Sequence, residues 1–469
     1  MPGKRAVLAL IMAAFCMVPS AQQPAEGVRL LFTGDILLSR QVSAEIQQRK
    51  DSPWTDFTKL FHDANLVGGN FESAIGDKTE CLSGNSLCFA AQESSAALMK
   101  AAGFSLVTAE NNHSGDLGKA GRDSTSATFQ SSGIPAVNFD HSPQFFRVGR
   151  ITLAVVAITL VKATDGEVQQ IPSVTLTQKM RLARQLANVV LVSIHWGNEL
   201  QDWPADTQQQ QARWLVAHGA DLIVGHHPHV IQPPQCVDGK PVFFSLGNHL
   251  FDQKYGETKD GLIADCHIHG GQLSCGGLQT HTDANTSYPT LLGRDAAADS
   301  VLQGCTTPIS AGLQVKGITI KPVPWSRDQP EVGVVLEGYR GDKLQWRSRR
   351  QELVSLQASS TMGTEPLLVS LERHPSSIDN ELGLRPYVYA VGPGGLVARW
   401  RGSALAWPLL DAITTSDGVV CALHRDDSFL LADPETKGTR IAAYRWNGFG
   451  FTGVNTPVEC AQNLLATPN

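Results

Sequence analysis

The chain has 469 residues, of which 42% are hydrophobic and 17% charged, and its formal net charge is -6. That length and apolar content support two or three domains with cores of their own. The acidic balance speaks against a nucleic-acid partner, which needs a basic face, and no heptad array, solenoid-period repeat or long low-complexity tract is present. At the start, Lys4 and Arg5 precede an apolar stretch from Ala6 to Val18, and Ser20 with Ala21 offers a cleavage point, so residues 1–21 read as a signal peptide. The apolar core is well short of the roughly 20 residues of a spanning helix. No later stretch qualifies, so no transmembrane helix is expected after signal removal, and Phe15 ahead of Cys16 speaks against lipidation. Loss of the leader leaves Cys81, Cys88, Cys236, Cys266, Cys275, Cys305, Cys421 and Cys460. This even set suits disulfides in an oxidising compartment, which places the protein in the periplasm or outside the cell. Cys81 is expected to pair with Cys88 and Cys421 with Cys460; the middle four leave three connectivities open.

Along the chain, "RLLFT" (29–33), "FSLVTA" (104–109), "VVLVSI" (189–194), "DLIV" (221–224) and "PVFFSL" (241–246) read as strands. Between them "QESSAALMKAAG" reads as a helix stopped by Gly103, and "TQQQQARWLVAHG" as one capped by Thr207 and ended by Gly219. From Val28 to about Thr280 the alternation predicts an α/β fold, in a first domain taken to run over residues 28–350. Within that span the stretch from His281 to Gln303 reads as a long loop, and "LQVKGITIKPV" and "EVGVVLEGYRGDKLQWRS" as strands extending the first domain's sheets. Residues 366–469 carry short strands with Gly, Asp and Asn turns, the pattern of a small all-β module.

Polar residues cluster just past the strands: Gly34-Asp35, Asn70-Phe71-Glu72, Glu110-Asn111-Asn112-His113, His195-Trp196-Gly197 and Gly225-His226-His227-Pro228-His229. In open α/β sheets ligands bind beyond the carboxyl ends of strands, so these segments are expected to converge. Taken singly, Asp35 and Glu72 have the ordinary role of helix N-caps, Asn112 that of a turn residue and His195 that of a core histidine. Together, two carboxylates, an amide oxygen and several imidazoles suit Zn, Mn or Fe rather than Ca or Mg. Glu72 could bridge two ions, His227 and His229 could reach different ions from one turn, and Pro228 is expected to hold His227 extended. His113 is free to protonate a leaving group. His226 reads as a positioning residue, Asn248 as a turn residue at the rim or one that shapes the site through hydrogen bonds, and Asp116 as a group that orients His113 or caps a helix.

"FTGDILLSR", "NFESAIG", "ENNHSGDLG", "SIHWGNE", "LIVGHHPHVIQ" and "FFSLGNHLFD", in this order and spacing, resemble the CapA family of poly-γ-glutamate capsule biosynthesis proteins. That family is similar in turn to the calcineurin-like metallophosphoesterases. The resemblance spans roughly residues 28 to 350 and implies a layered two-sheet core flanked by helices. It implies Asp35, Glu72, Asn112, His195, His227 and His229 as ligands of one or two divalent ions, and His113 as the catalytic acid. Two residues after Asp35 the phosphoesterase pattern has a metal histidine where this chain has Leu37, and Glu72 replaces the bridging aspartate. One ion site is therefore short of a ligand unless Asp116 or another group completes it. The implied function is a metal-dependent hydrolase or transferase in the synthesis of poly-γ-glutamate or a similar envelope polymer. Its expected partners are an anionic polymer or phosphoester substrate and the polymer export machinery. The alternatives are a non-catalytic metal-containing protein that binds an anionic polymer, and a periplasmic phosphoesterase unrelated to capsule.

Overall fold

The structure is a computed structural model that describes residues 27–82, 87–327, 333–375, 382–402, 405, 407–426 and 438–464. The expected signal peptide and Cys16 lie outside the described residues. Two sheets face each other. In the nine-stranded sheet, Val28–Ile36 lies at the centre. On one side it runs parallel to Leu66–Phe71, with Val107–Thr108 and Ala136–Val137 beyond. On the other side it pairs antiparallel with Asp260–His269, followed by Gln272–Thr282 and Pro289–Arg294. The six-stranded sheet has a parallel centre of Ile151–Thr159, Val189–His195, Leu222–His226 and Lys240–Phe243.

Alternate side chains explain the layering. Leu30, Phe32 and Leu66 of the first sheet share one apolar cluster with Leu153, Val155, Leu191 and Val224 of the second. Their chain neighbours Leu31 and Val67 cluster with Met99 and Phe129 of the helices Ser94–Ala102 and Gly118–Ser131. On the far side, Val156, Val190 and Val192 cluster with Leu176 and Met180 of Val174–Leu186 and Leu215 of Asp206–Ala217. Central strands buried on both faces carry continuous apolar runs, which is why they were legible as strands. Each such Val, Leu or Ile contributes about 1.5–3 kcal/mol of burial. The layered α/β core expected from the sequence is present, with all-β sheets after it.

Several elements depart from expectation. The region 281–303 is not a loop: it holds the edge strand Pro289–Arg294 and the helix Ala296–Leu302. Half of that strand faces solvent, so its composition is polar, and Asp295 caps the helix by accepting from the Ala298 amide at 2.8 Å. Strands Leu313–Val315, Ile318–Pro322, Leu336–Arg340 and Lys343–Arg347 do not extend the main sheets but form a four-stranded sheet of their own. The helix Asp206–Ala217 begins before Thr207, with Ala205 as N-cap donating its amide to Gln208 Oε1 at 3.0 Å.

Beyond the core, Leu353–Ser359 pairs with Leu367–Pro375 in one four-stranded sheet, and Leu409–Thr414 to Phe451–Val454 form another. Helix Val174–Leu186 packs on the core and also bonds to both of these sheets. Arg181 forms paired bonds of 3.0 and 2.9 Å with Asp411, Gln178 Nε2 donates to the Leu410 carbonyl at 2.8 Å, and the Leu356 amide donates to Gln185 Oε1 at 3.0 Å. Disulfides join Cys81 to Cys88 and Cys421 to Cys460 as expected, and of the open connectivities the fold takes Cys236–Cys305 and Cys266–Cys275. Among the described residues no helix is long and apolar enough to cross a membrane.

Candidate metal centre

The polar segments do meet at the carboxyl ends of the strands. Asp35, Glu72, His195 and His229 are almost fully buried and His227 nearly so. Close backbone approach makes this possible: a Cβ at Gly34 would collide with the Gly247 carbonyl, and one at Gly225 with the Phe244 carbonyl.

Asp35 and Asn70 are register partners on adjacent parallel strands, so the pairing itself puts Asn70 Nδ2 2.8 Å from Asp35 Oδ1. The same oxygen lies 3.0 Å from His226 Nδ1, while Oδ2 accepts from the His227 amide at 3.2 Å and lies 3.3 Å from His229 Nδ1. Burial raises the pKa of Asp35, but the close imidazoles of His226 and His229 outweigh it and hold the carboxyl well below its ordinary value. His226 thus steadies Asp35 and takes the positioning role read from the sequence. Asn111 extends the network, donating to Asn70 Oδ1 at 3.0 Å and to the Phe71 carbonyl at 2.9 Å.

His229 bridges this network to Glu72. Its Nδ1 lies 3.0 Å from Asn248 Oδ1, which gives Asn248 a task beyond that of a turn residue. Its Nε2 faces Glu72 Oε1 across 3.6 Å, too far for a hydrogen bond. Glu72 Oε1 has no hydrogen-bond partner among the described residues, although Glu72 is fully buried. Two atoms bound tetrahedrally to one ion at about 2.1 Å stand about 3.4 Å apart, so this gap has the width of a coordination edge. Burial pushes the Glu72 carboxyl well above its ordinary range, with the charge of Asp35 adding to the effect and that of His229 opposing it. Burial disfavours the charged form of His229, but Glu72 and Asp35 more than compensate and hold it up at about 9.

On the other side, His195 Nε2 lies 2.8 Å from Asn112 Oδ1. The rings of His195 and His227 stand 4.8 Å apart, and Nδ1 of each lacks a partner. Burial, then the charge of neighbouring His229, lowers His227 to about 4, and burial with His227 lowers His195 well below the usual imidazole range. Both rings are therefore neutral, the form that binds metals. His227 does not adopt the extended backbone expected ahead of Pro228. It has φ 96° and His229 φ 59°, conformations that non-glycine residues adopt at a cost of roughly 1–3 kcal/mol and that cluster at functional sites.

His113 Nδ1 lies 2.8 Å from Asp116 Oδ2, and its ring stacks on Phe89 with centroids 3.6 Å apart. Asp116 is pinned by the Phe89 amide at 2.7 Å and Thr164 Oγ1 at 2.6 Å. Of the roles open to Asp116, the structure selects the orientation of His113. Leu37, at the position where a further ligand was wanted, is fully buried in the apolar cluster with Phe57 and Phe251, its amide bonded to the Leu250 carbonyl at 2.8 Å. Glu199, unassigned from the sequence, lies close to His227 and His229. Its signal was a carboxylate in the same post-strand segment as His195.

Two groups among the described residues could each hold a metal ion: Asp35, Glu72 and His229, and Glu199, His227 and His229. The donors are imidazole and carboxylate, with Glu72 Oε1 and Nδ1 of His195 and His227 unpartnered among the described residues, and this set fits a divalent transition ion.

Comparison with known proteins agrees with the motifs. The family model described as "Bacterial capsule synthesis protein PGA_cap" matches residues 29–253. "PGA biosynthesis protein CapA" of Bacillus subtilis (strain 168) is 30% identical over 254 residues, covering 50% of this chain and 67% of that protein. "Capsule biosynthesis protein CapA" of Bacillus anthracis is 28% identical over 274 residues, covering 54% of this chain and 66% of that one. A solved phosphatase from Mycoplasma pneumoniae aligns with 57% of this chain and 94% of its own at a TM-score of 0.34 and 12% identity, too distant a likeness to bear on mechanism. Ordered motifs and relatives together place this chain in the CapA family of bacterial capsule synthesis proteins.

Proposed function

We propose that this chain is a metal-dependent hydrolase or transferase acting in the synthesis of a capsule polymer, poly-γ-glutamate or a similar acidic chain, in the periplasm or outside the cell. Family membership supports the capsule role, and four disulfides are compatible with export. The observation that carries the enzyme reading is the buried, unpartnered Glu72 Oε1 facing His229 Nε2 at 3.6 Å. A buried carboxylate with a vacant oxygen is costly unless a cation takes it up.

In this reading Asp35, Glu72 and His229 hold one ion, and Asn112, His195 and His227 hold or help to hold a second. A bound divalent ion would supply Lewis acidity toward a phosphoryl or acyl oxygen and lower the pKa of water. His113 protonates the leaving group. Asp116 accepts from Nδ1, fixing the ring and stabilising the imidazolium that donates from Nε2. Phe89 stacked on the ring restricts it to that plane.

The test is hydrolysis of bis(4-nitrophenyl) phosphate, and of poly-γ-glutamate for the amide alternative, by oxidatively folded protein loaded with Zn or Mn. Turnover that falls about 10²- to 10⁴-fold in His113→Ala, with metal content unchanged, is the expected result. Leu37 favours a second reading, a non-catalytic protein that holds an anionic polymer through a retained ion. Metal-dependent polymer binding without turnover on any ester or amide would establish that reading instead. Phosphodiester turnover with no affinity for the polymer would favour the phosphoesterase unrelated to capsule.

A further inference from the structure

We infer that the Glu199 carboxylate is a further ligand of the metal centre, beside His227 and His229, adding an oxygen donor to the ion that His227 helps to hold. This rests on the metal-dependent reading above and adds a residue to it. One oxygen of Glu199 and one ring nitrogen each of His227 and His229 lie within 4.8 Å of one another. An ion with bonds of about 2.1 Å reaches atoms up to about 4.2 Å apart. Glu199 is exposed while both histidines are buried, so its side chain has the freedom to close the remainder.

The backbone under Glu199 is tied to the histidine turn. The Leu200 amide donates to the Pro228 carbonyl at 2.9 Å, so the residue after Glu199 is bonded to the one between the two histidines. Gln232 Nε2 donates to the Gln201 carbonyl at 2.9 Å, and Gln208 Nε2 donates to Gln232 Oε1 at 3.0 Å. Gly197 and Leu200, with φ of 80° and 60°, set the course of this loop between strand and helix. His227 Nδ1 is buried and has no hydrogen-bond partner among the described residues, so this ring keeps an unused donor atom. The chemistry is consistent: with imidazoles supplying neutral donors, a third carboxylate helps Asp35 and Glu72 to balance divalent charge.

The test is titration of metal-free, oxidatively folded full chain with Co²⁺, followed by visible absorption and calorimetry, for wild type, Glu199→Gln, Glu199→Asp and His227→Ala, each checked by circular dichroism. Wild type should take up Co²⁺ and His227→Ala should lose binding on its side. Glu199→Gln should bind more than about 10-fold more weakly with altered visible bands, and Glu199→Asp should fall between. Wild-type affinity and spectrum in Glu199→Gln would overturn the assignment while leaving the metal centre standing. Failure of wild type itself to bind Co²⁺ would overturn the metal reading and this inference with it.

Discussion

Glu72 in the α/β core and Glu372 in the C-terminal module are both fully buried, yet their surroundings are opposite. Glu372 Oε1 accepts from Gln351 Nε2 at 2.9 Å, Ser370 Oγ at 2.8 Å and Tyr389 OH at 2.8 Å, and its Oε2 lies 3.1 Å from His374 Nε2. Glu72 has Asn70 Nδ2 at a long 3.5 Å from Oε2 and no partner for Oε1. The carboxylate of Glu372 is complete within the protein, whereas that of Glu72 keeps an oxygen without a hydrogen-bond partner among the described residues. Asp265 shows a third arrangement, pairing with Arg29 at 2.8 Å and Arg294 at 2.7 Å. A buried acid therefore signals function by what it lacks, not by its burial.

The largest effect should follow from replacing the Glu72 carboxylate. Saturating ion at about 1,000 times Kd should stabilise wild type by about 4 kcal/mol. Glu72→Gln should abolish most of that gain in a thermal melt while leaving the metal-free protein no less stable. Glu372→Ala should show the converse, a loss of about 3 kcal/mol in denaturant unfolding because several donors are left unpaired, with metal uptake unchanged. Equal behaviour of the two variants would break the comparison. A smaller effect is expected at Asp116→Asn, which should lower turnover by about 10- to 100-fold at constant metal content, since it acts only through His113.

The smallest effect concerns acid. Burial raises the pKa of Asp265, but the hydrogen bonds and charges of His267 and Arg29 bring it down to about 2. Its stabilising contribution is thus complete above the unfolded value of about 3.9 and is lost as pH falls through about 2. Arg29→Ala should move the acid-unfolding midpoint upward, and an unmoved midpoint would show the pair to be inert.

Much of this was legible in the chain because strand ends are marked by a change from apolar to polar residues. Asp35, Glu72, Asn112, His195, His227 and His229 could be placed at one edge without knowing any pairing. The Asn70–Asp35 bond required the register of two strands, and the role of Asn248 required a strand more than 200 residues away from Asp35. Glu199 lay in view, but only the bond between Leu200 and Pro228 carries it to the histidines. The strand Pro289–Arg294 was hidden because an edge strand has little apolar surface to declare it. The left-handed conformation of His227 was unreadable because a following proline restricts the backbone without selecting between its remaining regions.

The most direct test of the central claim is the transition-metal content per chain of oxidatively folded protein, measured by elemental analysis for wild type, His227→Ala and Asn112→Ala. Near-stoichiometric metal in wild type, lost or markedly reduced in both variants, is the expected result. Well-folded wild type that holds no metal after incubation with Zn or Mn would contradict it.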